Sequence, residues 1–495
     1  MPVEVLSLRR KYPIARVCLR PLALVAALFL AGCASLVSVD KTDATALAIP
    51  AQWSGGEGTS SASAASLAAW WQRFDDPLLV NLVRQSLKAN TRVLAAQATL
   101  RQARAQRDVS AASLSPTVGS SASARRNPGA GSDGNTFQAG LDASWELDLF
   151  GAKRSGVDAA DASASASAAS LGDVQVSIAA EVALSYITLR SAQERLAIAI
   201  SNLASQADTL QITQWRVQAG LATSLESEQA RAAVAQTKAQ LPVLQTQIAQ
   251  SRHALGVLTG QAPDALQTQL EAAASVPQAQ GEIALAFPAD TLRQRADVRA
   301  AELQVAAALA RVNQADAQRL PSFQIGGSLG LSALTLAGLT NAASLTSALL
   351  ASVSLPIFDG GAIRAQVGVQ QAGLDLARAN YQSAILTALQ EVEDALVALR
   401  QDRSRLLNLQ EAADSASNAA LLARQRYSSG LVDFQIVLDT QRSQLNAQDS
   451  VASAMATVSA DHVRLYKALG GGWQSGAADA LAVTTPDNTT LRRTP

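Results

Sequence analysis

Cysteine is nearly absent from this 495-residue chain, which has only Cys18 and Cys33. Cys18 lies inside a basic, apolar leader and Cys33 just behind it. Once the leader is removed, no thiol remains for a disulfide, a zinc site or a nucleophile. Histidine is as scarce: His253 and His462 each stand alone in a helical pattern, where a solvated or core role is expected rather than a base or a metal ligand. No Gly-rich phosphate loop occurs. The expectation is therefore no catalytic residue, no metal, no enzymatic activity and no cofactor other than a covalent lipid. Outside the leader no run approaches the roughly 18 uninterrupted apolar residues of a spanning helix. Proline is missing from Gly129 to Leu241 and again from Ile357 to Thr485, so nothing in either window breaks a helix.

The leader itself is explicit. Arg9, Arg10, Lys11, Arg16 and Arg20 precede an apolar run from Leu22 to Leu30, too short for a stable anchor and readable as a signal peptide over residues 1–32. The Arg pair at 9 and 10 lacks the flanking residues of twin-arginine export. Leu30-Ala31-Gly32-Cys33 resembles the bacterial lipobox, which makes Cys33 the lipidated N-terminus; Ala34 and Ser35 behind it, with no Asp, suit release to the outer membrane. Processing takes five of the 40 basic and one of the 40 acidic residues, leaving a net charge of 35 − 39 = −4. No basic footprint for nucleic acid remains.

What the chain does contain, it contains twice. Ser115-Pro116 opens a polar, strand-like stretch, Trp145 to Gly151 closes a second, and Gln214-Trp215-Arg216 to Gly220-Leu221 ends a long helical pattern. The order recurs as Leu320-Pro321, Ser354 to Gly360, and Gln425-Arg426-Tyr427 to Gly430-Leu431. Pro116 to Pro321 is an offset of 205, Phe150 to Phe358 is 208, and Gly220 to Gly430 is 210. Such a small drift over most of the chain indicates a tandem duplication rather than two unrelated helical domains.

The strand-like stretches alternate with period two. Phe137, Ala139, Leu141, Ala143, Trp145 and Leu147 share one face, and Gln138, Asp142, Ser144, Glu146 and Asp148 the other. Phe323, Ile325, Leu329 and Leu331, then Leu345, Leu349, Val353 and Leu355, repeat the apolar face; Thr117 to Arg125 is a weaker partner rich in Ser, Ala and Gly. Strands that cross a bilayer must close into a barrel, because lipid cannot satisfy an open edge. Four strands are too few, whereas three copies supply twelve and give near six-fold symmetry.

The helical parts are long. A continuous helix over 152–216 would measure about 100 Å at 1.5 Å per residue. Val182, Leu189, Leu196, Leu203, Leu210 and Val217 recur at sevens, with Ile200 and Ala207 between them; Ile385, Leu389, Val392, Leu396, Leu399, Leu406 and Ala413 keep a 3,4 spacing interrupted by Arg403 and Gln410. Sustained heptads imply a left-handed supercoil. Alanine on the other faces lets each helix pack on two sides, as a stave in a wall does. An elongated coiled-coil scaffold without a lumen fits the helices alone, but not the strand pairs before them. Each long helix reverses at a glycine turn, where Gly220 and Gly430 suit a left-handed C-terminus and Ser224 or Asp433 a cap on the returning helix.

The lipobox, Trp70-Trp71-Gln72-Arg73-Phe74-Asp75-Asp76-Pro77 followed by Leu82 and Asn90, the duplication and the Arg-x-x-x-Gly-Leu turns together resemble the TolC-like outer-membrane factors, in particular the NodT-type lipoproteins of resistance-nodulation-division efflux systems. The likeness runs from about Trp70 to Trp473. It implies a mainly α fold with a small β part: a trimer with a twelve-stranded transmembrane β-barrel on a long periplasmic α-helical barrel. It divides the chain into the leader, a lipidated linker over 33–69, and a first repeat over 70–260 with strand pair 116–148, long helix 152–216 and return helix 224–258. An equatorial linker over 261–287 and a second repeat over 288–470 follow, the latter with strand pair 322–356, long helix 359–427 and return helix 434–469, before a tail over 471–495. It further implies a passive duct for small molecules in the outer membrane, fed by an inner-membrane transporter and a periplasmic adaptor. The adaptor contacts map onto Arg216, Gly220, Leu221, Ser224, Arg426, Tyr427, Gly430, Leu431 and Asp433. Family members carry an acidic ring before the second turn; here Arg424 stands near that place, and Glu411 and Asp414 are the nearest acids. At Arg295-Ala296-Asp297 the family's Pro is replaced by Ala296, which is expected to touch only a helix start. A type I protein-export duct is the rival within this architecture. An adaptor is the rival outside it, but would show one hairpin rather than two.

Overall fold

In the computed structural model the described residues are 49–50, 52–53, 67, 69–127, 134–280 and 288–473, so Cys33, the leader and the tail beyond 473 lie outside them. A 3-10 turn at Trp70–Phe74 leads into α1 (Pro77–Ala89) and α2 (Thr91–Ala112), the hairpin β1 (Thr117–Asn127) and β2 (Gly134–Leu147), the long helix α3 (Ala152–Gln218) and its return α4 (Ser224–Leu258). The second repeat follows with α5 (Pro288–Gln294), α6 (Ala296–Ala317), β3 (Ser322–Ala333), β4 (Leu345–Ser354), α7 (Ala362–Ser428) and α8 (Phe434–Ala468). Both long helices have 67 residues, about 100 Å of continuous helix. Nothing breaks them because neither contains proline.

The long helices serve two layers. Near the strands α3 lies between α2 and α6, and α6 in turn meets α7; towards the glycine turns α3 packs on α4 and α8, and α8 on α7. The four strands form one antiparallel sheet in the order β1-β2-β3-β4. Register puts Ala143 opposite Val118 and Gly327, and Phe323 opposite Leu147 and Val353, so the predicted apolar positions of β2, β3 and β4 do share one face. Leu141, Leu329 and Leu349 on that face are exposed in the single chain, as a lipid-facing row must be.

The start of the second long helix departs from the sequence reading. Helix α7 begins at Ala362 rather than at 359, because Gly360 and Gly361 both hold positive φ, 65° and 90°, and the Asp359 carboxylate accepts hydrogen bonds from the amides of Gly361 and Ile363. In the first repeat Asp148 does the same for the amides of Lys153 and Arg154. Helix starts therefore align at an offset of 210, and Phe150 and Phe358 are not structural equivalents despite their similar surroundings.

The heptad reading of α3 is also shifted. Below Leu189 the most buried stripe is Ala199, Asn202, Gln206, Thr209 and Thr213, which faces α8 through Asn202 Nδ2 to Gln448 at 2.8 Å and Gln441 Nε2 to Thr209 at 2.9 Å. Leu203, Leu210 and Val217, each one or more residues away, stay only partly covered, and Ile200 is exposed. The seam with α8 is thus made of amides and hydroxyls, while Leu196 and Leu210 of the heptad series pack at the margins of two apolar cores. The α7 series behaves as expected, with Ile385, Val392, Leu399 and Ala413 buried, and its interruption Arg403 meets His462.

The main core sits at the level where the short helices cross the long ones. Trp70 is fully buried and stacks on Tyr466 with ring centroids 5.5 Å apart, while Trp71 meets it edge-on at 5.7 Å. Asp76 caps α1 by accepting from the amides of Leu78 and Leu79, with Pro77 at the first helical position. Its second oxygen takes the Tyr186 hydroxyl at 2.7 Å, and Arg190 donates to the same hydroxyl at 2.9 Å. Capping motif and core thus form one network.

Candidate functional site

The two glycine turns are built alike. Gly220 and Gly430 have φ of 69° and 72°, as the sequence implied. In each turn the amide after glycine reaches back five residues, Leu221 to the Arg216 carbonyl at 2.7 Å and Leu431 to the Arg426 carbonyl at 2.8 Å; the glycine amides bond to the Val217 and Tyr427 carbonyls. This double closure satisfies the last helical carbonyls and needs a left-handed residue, so a side chain at either glycine would be strained. It also leaves Leu221 and Leu431 projecting, 69 % and 73 % exposed.

Capping of the returning helices differs from expectation. Thr223, not Ser224, occupies the cap position of α4 and accepts from the Glu226 amide at 3.4 Å; Ser224 is the first helical residue. Asp433 does occupy the cap position of α8, but its side chain makes no cap bond. Glu226 was missed, although Thr-x-x-Glu at Thr223 to Glu226 is a capping-box signal. Its carboxylate instead accepts from the Tyr427 hydroxyl at 3.2 Å.

Tyr427 ties the two turns together. Arg216 donates from Nη1 to the Tyr427 carbonyl at 2.7 Å, and its guanidinium lies 4.6 Å from the centre of the Tyr427 ring. Tyr427 also packs on Phe434 at 5.3 Å, in a small core with Ala230, Ala423, Val437 and Leu438. Burial, then the nearby Glu226, push the Tyr427 hydroxyl up, so it stays protonated and remains a donor. Of the predicted turn residues, Arg216 and Tyr427 meet directly, while Arg426 is exposed.

The gate candidates are not brought together. Glu411 and Asp414 are exposed on α7, 13 and 10 residues before Arg424, which is about 15–20 Å along the helix. Arg424 is half-buried in a groove of about 410 Å³ with Asp208, Gln211, Ile212, Trp215, Gln425 and Ser428. Trp215, 58 % exposed, is the large apolar surface here that spacing arguments overlooked.

At the opposite end of the lower layer, each repeat is closed on itself by matching contacts. Asn90 Nδ2 donates to the Leu258 carbonyl and Arg295 Nη1 to the Ala468 carbonyl, each at 2.8 Å, closing the last turns of α4 and α8. Gly260 approaches the Ala89 carbonyl and Gly470 the backbone of Gln294 and Arg295. Arg295 adds bonds of 2.7 Å to both Asp297 and Glu391. Helix α6 starts at Ala296, as the Pro-to-Ala departure allowed. Burial raises the pKa of Asp297, but the hydrogen bonds and charge of Arg295 more than offset this, and its carboxyl titrates below the usual range. A depressed carboxylate stabilises the fold above its ordinary pKa, and that contribution is lost as pH falls through the folded value, below about 4. Arg295→Ala should therefore cost about 2–3 kcal/mol at pH 7, discounted for the exposure of Glu391, and flatten the acid limb of a melting-temperature profile. An unchanged acid limb would show that this joint does not set it.

Two stacked helical layers under a sheet with free edges, repeated within one chain, are a distinctive arrangement, and a sequence comparison matches both halves of it. The profile described as "Outer membrane efflux protein" covers residues 82–261 and 287–471, once per repeat. The chain belongs to the outer membrane efflux protein family.

Its relatives are of one kind. The pyoverdine export outer membrane protein OpmQ of Pseudomonas putida is 34 % identical over 87 % of this chain and 93 % of its own length. Nodulation protein T of Rhizobium leguminosarum bv. viciae is 31 % identical over 83 % and 86 %. Among solved structures, the outer-membrane channel OprN is 35 % identical with a TM-score of 0.79, covering 88 % of this chain and 96 % of that one. The outer membrane protein VceC of Vibrio cholerae is 25 % identical with a TM-score of 0.77, covering 82 % and 99 %. This efflux protein is thus a TolC-like channel component of the outer membrane extending into the periplasm, and its relatives do not favour the protein-export alternative. The family's business is conduction rather than catalysis. Among the described residues no His, Cys, Asp and Glu group is arranged to hold a metal. His253 is exposed; His462 is buried, its Nδ1 on the Val458 carbonyl and its Nε2 accepting from Arg403, with burial holding its pKa down.

Proposed function

We propose that this efflux protein works as a homotrimer, anchored in outer-membrane lipid by acylated Cys33, and conducts small molecules passively from a resistance-nodulation-division transporter through a periplasmic adaptor. The trimer is supported by the four-stranded sheet, whose β1 and β4 each keep one edge unpaired; lipid cannot satisfy those edges, and three copies bring twelve strands. Adaptor docking rests on the paired turns, where Leu221 and Leu431 project beside Gly220 and Gly430, with Ser224, Arg426 and Asp433 as their polar rim. Of the gate candidates, Arg424 beside Asp208 and Trp215 fits a constriction best; Glu411 and Asp414 would line the passage above it. The efflux reading is tested by drug and dye accumulation in the native host with and without the gene, with resupplied protein as control. Accumulation that is unchanged across many compound classes overturns it.

Release of the tip requires parting what Arg216 and Tyr427 hold. Arg216→Ala removes both the carbonyl bond and the ring contact and should raise single-channel conductance in planar bilayers several-fold. Tyr427→Phe removes the hydroxyl with its contacts to Glu226 and Thr213 but keeps the carbonyl bond and the ring under Arg216, and should raise it less, as a hydrogen bond to a charged group contributes about 1.5–3 kcal/mol. Wild-type conductance in Arg216→Ala would rule out this contact as a restraint on the tip.

A further inference from the structure

The two repeats align by two different offsets, and the pair of offsets fixes where the neighbouring copy's strand must lie. Before each hairpin the offset is 205: Ala89 answers to Gln294, Asn90 to Arg295, and the ends of α2 and α6, Ala112 and Ala317, correspond. After it the offset is 210: Ala152 answers to Ala362, Leu258 to Ala468 and Gly260 to Gly470. The hairpin registers obey both rules at once. Ser121 pairs with Gly140, and Gly326, 205 further on, pairs with Leu350, 210 further on. The five additional residues of the second repeat thus lie between its strands.

Inside the chain the repeats meet where β2 pairs with β3, with Leu147 opposite Phe323, Trp145 opposite Ile325, Ala143 opposite Gly327 and Leu141 opposite Leu329. We propose that β4 joins β1 of the next copy in the register that repeats this seam, placing Val353 opposite the partner's Ala122 and Ala351 opposite the partner's Ala124; Leu355 and Ile357, which follow the end of β4 at Ser354, would extend the same row toward the partner's Ser120 and the partner's Val118. The inference rests on the trimeric reading but goes beyond it, because a trimer alone allows any register. Two observations support it. Val118, Ala122 and Ala124 lie on the face of β1 that continues Ala143, Ala139 and Phe137, so the outward row of β4 meets an outward row and not the lumen. Leu147 and Phe323, opposite one another within the chain, are each half-buried, Phe323 also against Phe150, whereas their counterparts Ile357 and Val118 are 93 % and 70 % exposed in the single copy.

Disulfide trapping decides the register, because directly opposite residues sit within bonding reach and residues two positions along do not. The full chain would carry Val353→Cys with Ala122→Cys, and in separate constructions Val353→Cys with Ser120→Cys or with Ala124→Cys, and be oxidised in native membranes. The matched pair should give dimer and trimer bands on denaturing gels at least about tenfold stronger than either slipped pair. Leu355→Cys with Ser120→Cys, against Leu355→Cys with Val118→Cys, asks the same question should the first set fold poorly; single-cysteine variants give the background, Cys33 included. A slipped pair that cross-links best overturns the register while leaving the trimer intact. Absence of any cross-link also overturns it, and the size of the detergent-extracted protein then tells whether the trimeric reading falls as well.

Discussion

Trp70→Ala should destabilise the protein by about 3–5 kcal/mol, the largest loss expected from any single truncation in its core. The indole is fully buried, stacks on Tyr466 from α8 and meets Trp71 and Phe74 of its own turn edge-on, so two segments nearly 400 residues apart close on one ring. Its removal opens a void that the long helices are too stiff to collapse into, and the loss of packing adds to the lost transfer energy. Trp70→Phe keeps a ring against Tyr466 and should lose less than half as much. Denaturant titration of the helical signal in detergent measures both. A change below about 1 kcal/mol in Trp70→Ala would mean that this cluster does not hold the helical layers together.

Leu349→Arg and Leu350→Arg should have opposite fates. Leu349 lies in the outward row with Val353 and Ala351, and Leu350 in the other row opposite Gly326, beside Gln324 and Ser328. A guanidinium placed on the lipid face near mid-bilayer costs about 2–4 kcal/mol, whereas one facing a water-filled lumen remains solvated. Leu349→Arg should accordingly deplete the protein from the outer membrane, and Leu350→Arg should leave its level near normal. The readout is the amount of heat-modifiable oligomer in purified outer membranes. Equal loss in both variants would sink the assignment of faces.

Much of this was legible in advance because the signals are local and repeated. The glycines of the two turns announce themselves, since a left-handed residue is required wherever a helix closes by a bond reaching back five residues. Alternation in the strands put the apolar positions of β2, β3 and β4 on one shared face, because a strand's period of two carries every second residue to the same side. Less legible was the start of α7, where Asp359 and two glycines add an extra bend that residue type alone does not distinguish from helix. The buried stripe of α3 was misplaced for a related reason. Leucine spacing identifies an apolar face, but which neighbour covers it depends on where α8 lies, and α8 took the adjacent stripe of Asn202, Gln206 and Thr209. The bond from Tyr427 to Glu226 and the groove around Trp215 and Arg424 were likewise invisible, as they join residues about 200 positions apart in sequence.

By itself the sequence determined the compartment signal, the duplication, the length of the helices and the apolar face of the strands. Each of these follows from composition, from a short local period or from motifs repeated at a near-constant offset, and needs no knowledge of what packs on what. Only the tertiary structure decided which helix neighbours which, how Arg216 and Tyr427 fasten one turn to the other, and that the strand pairing follows an offset of 205 in one strand of the hairpin and 210 in the other. Those features depend on contacts between segments hundreds of residues apart. Their geometry is set by the shared fit of all the staves and strands, which no local pattern encodes.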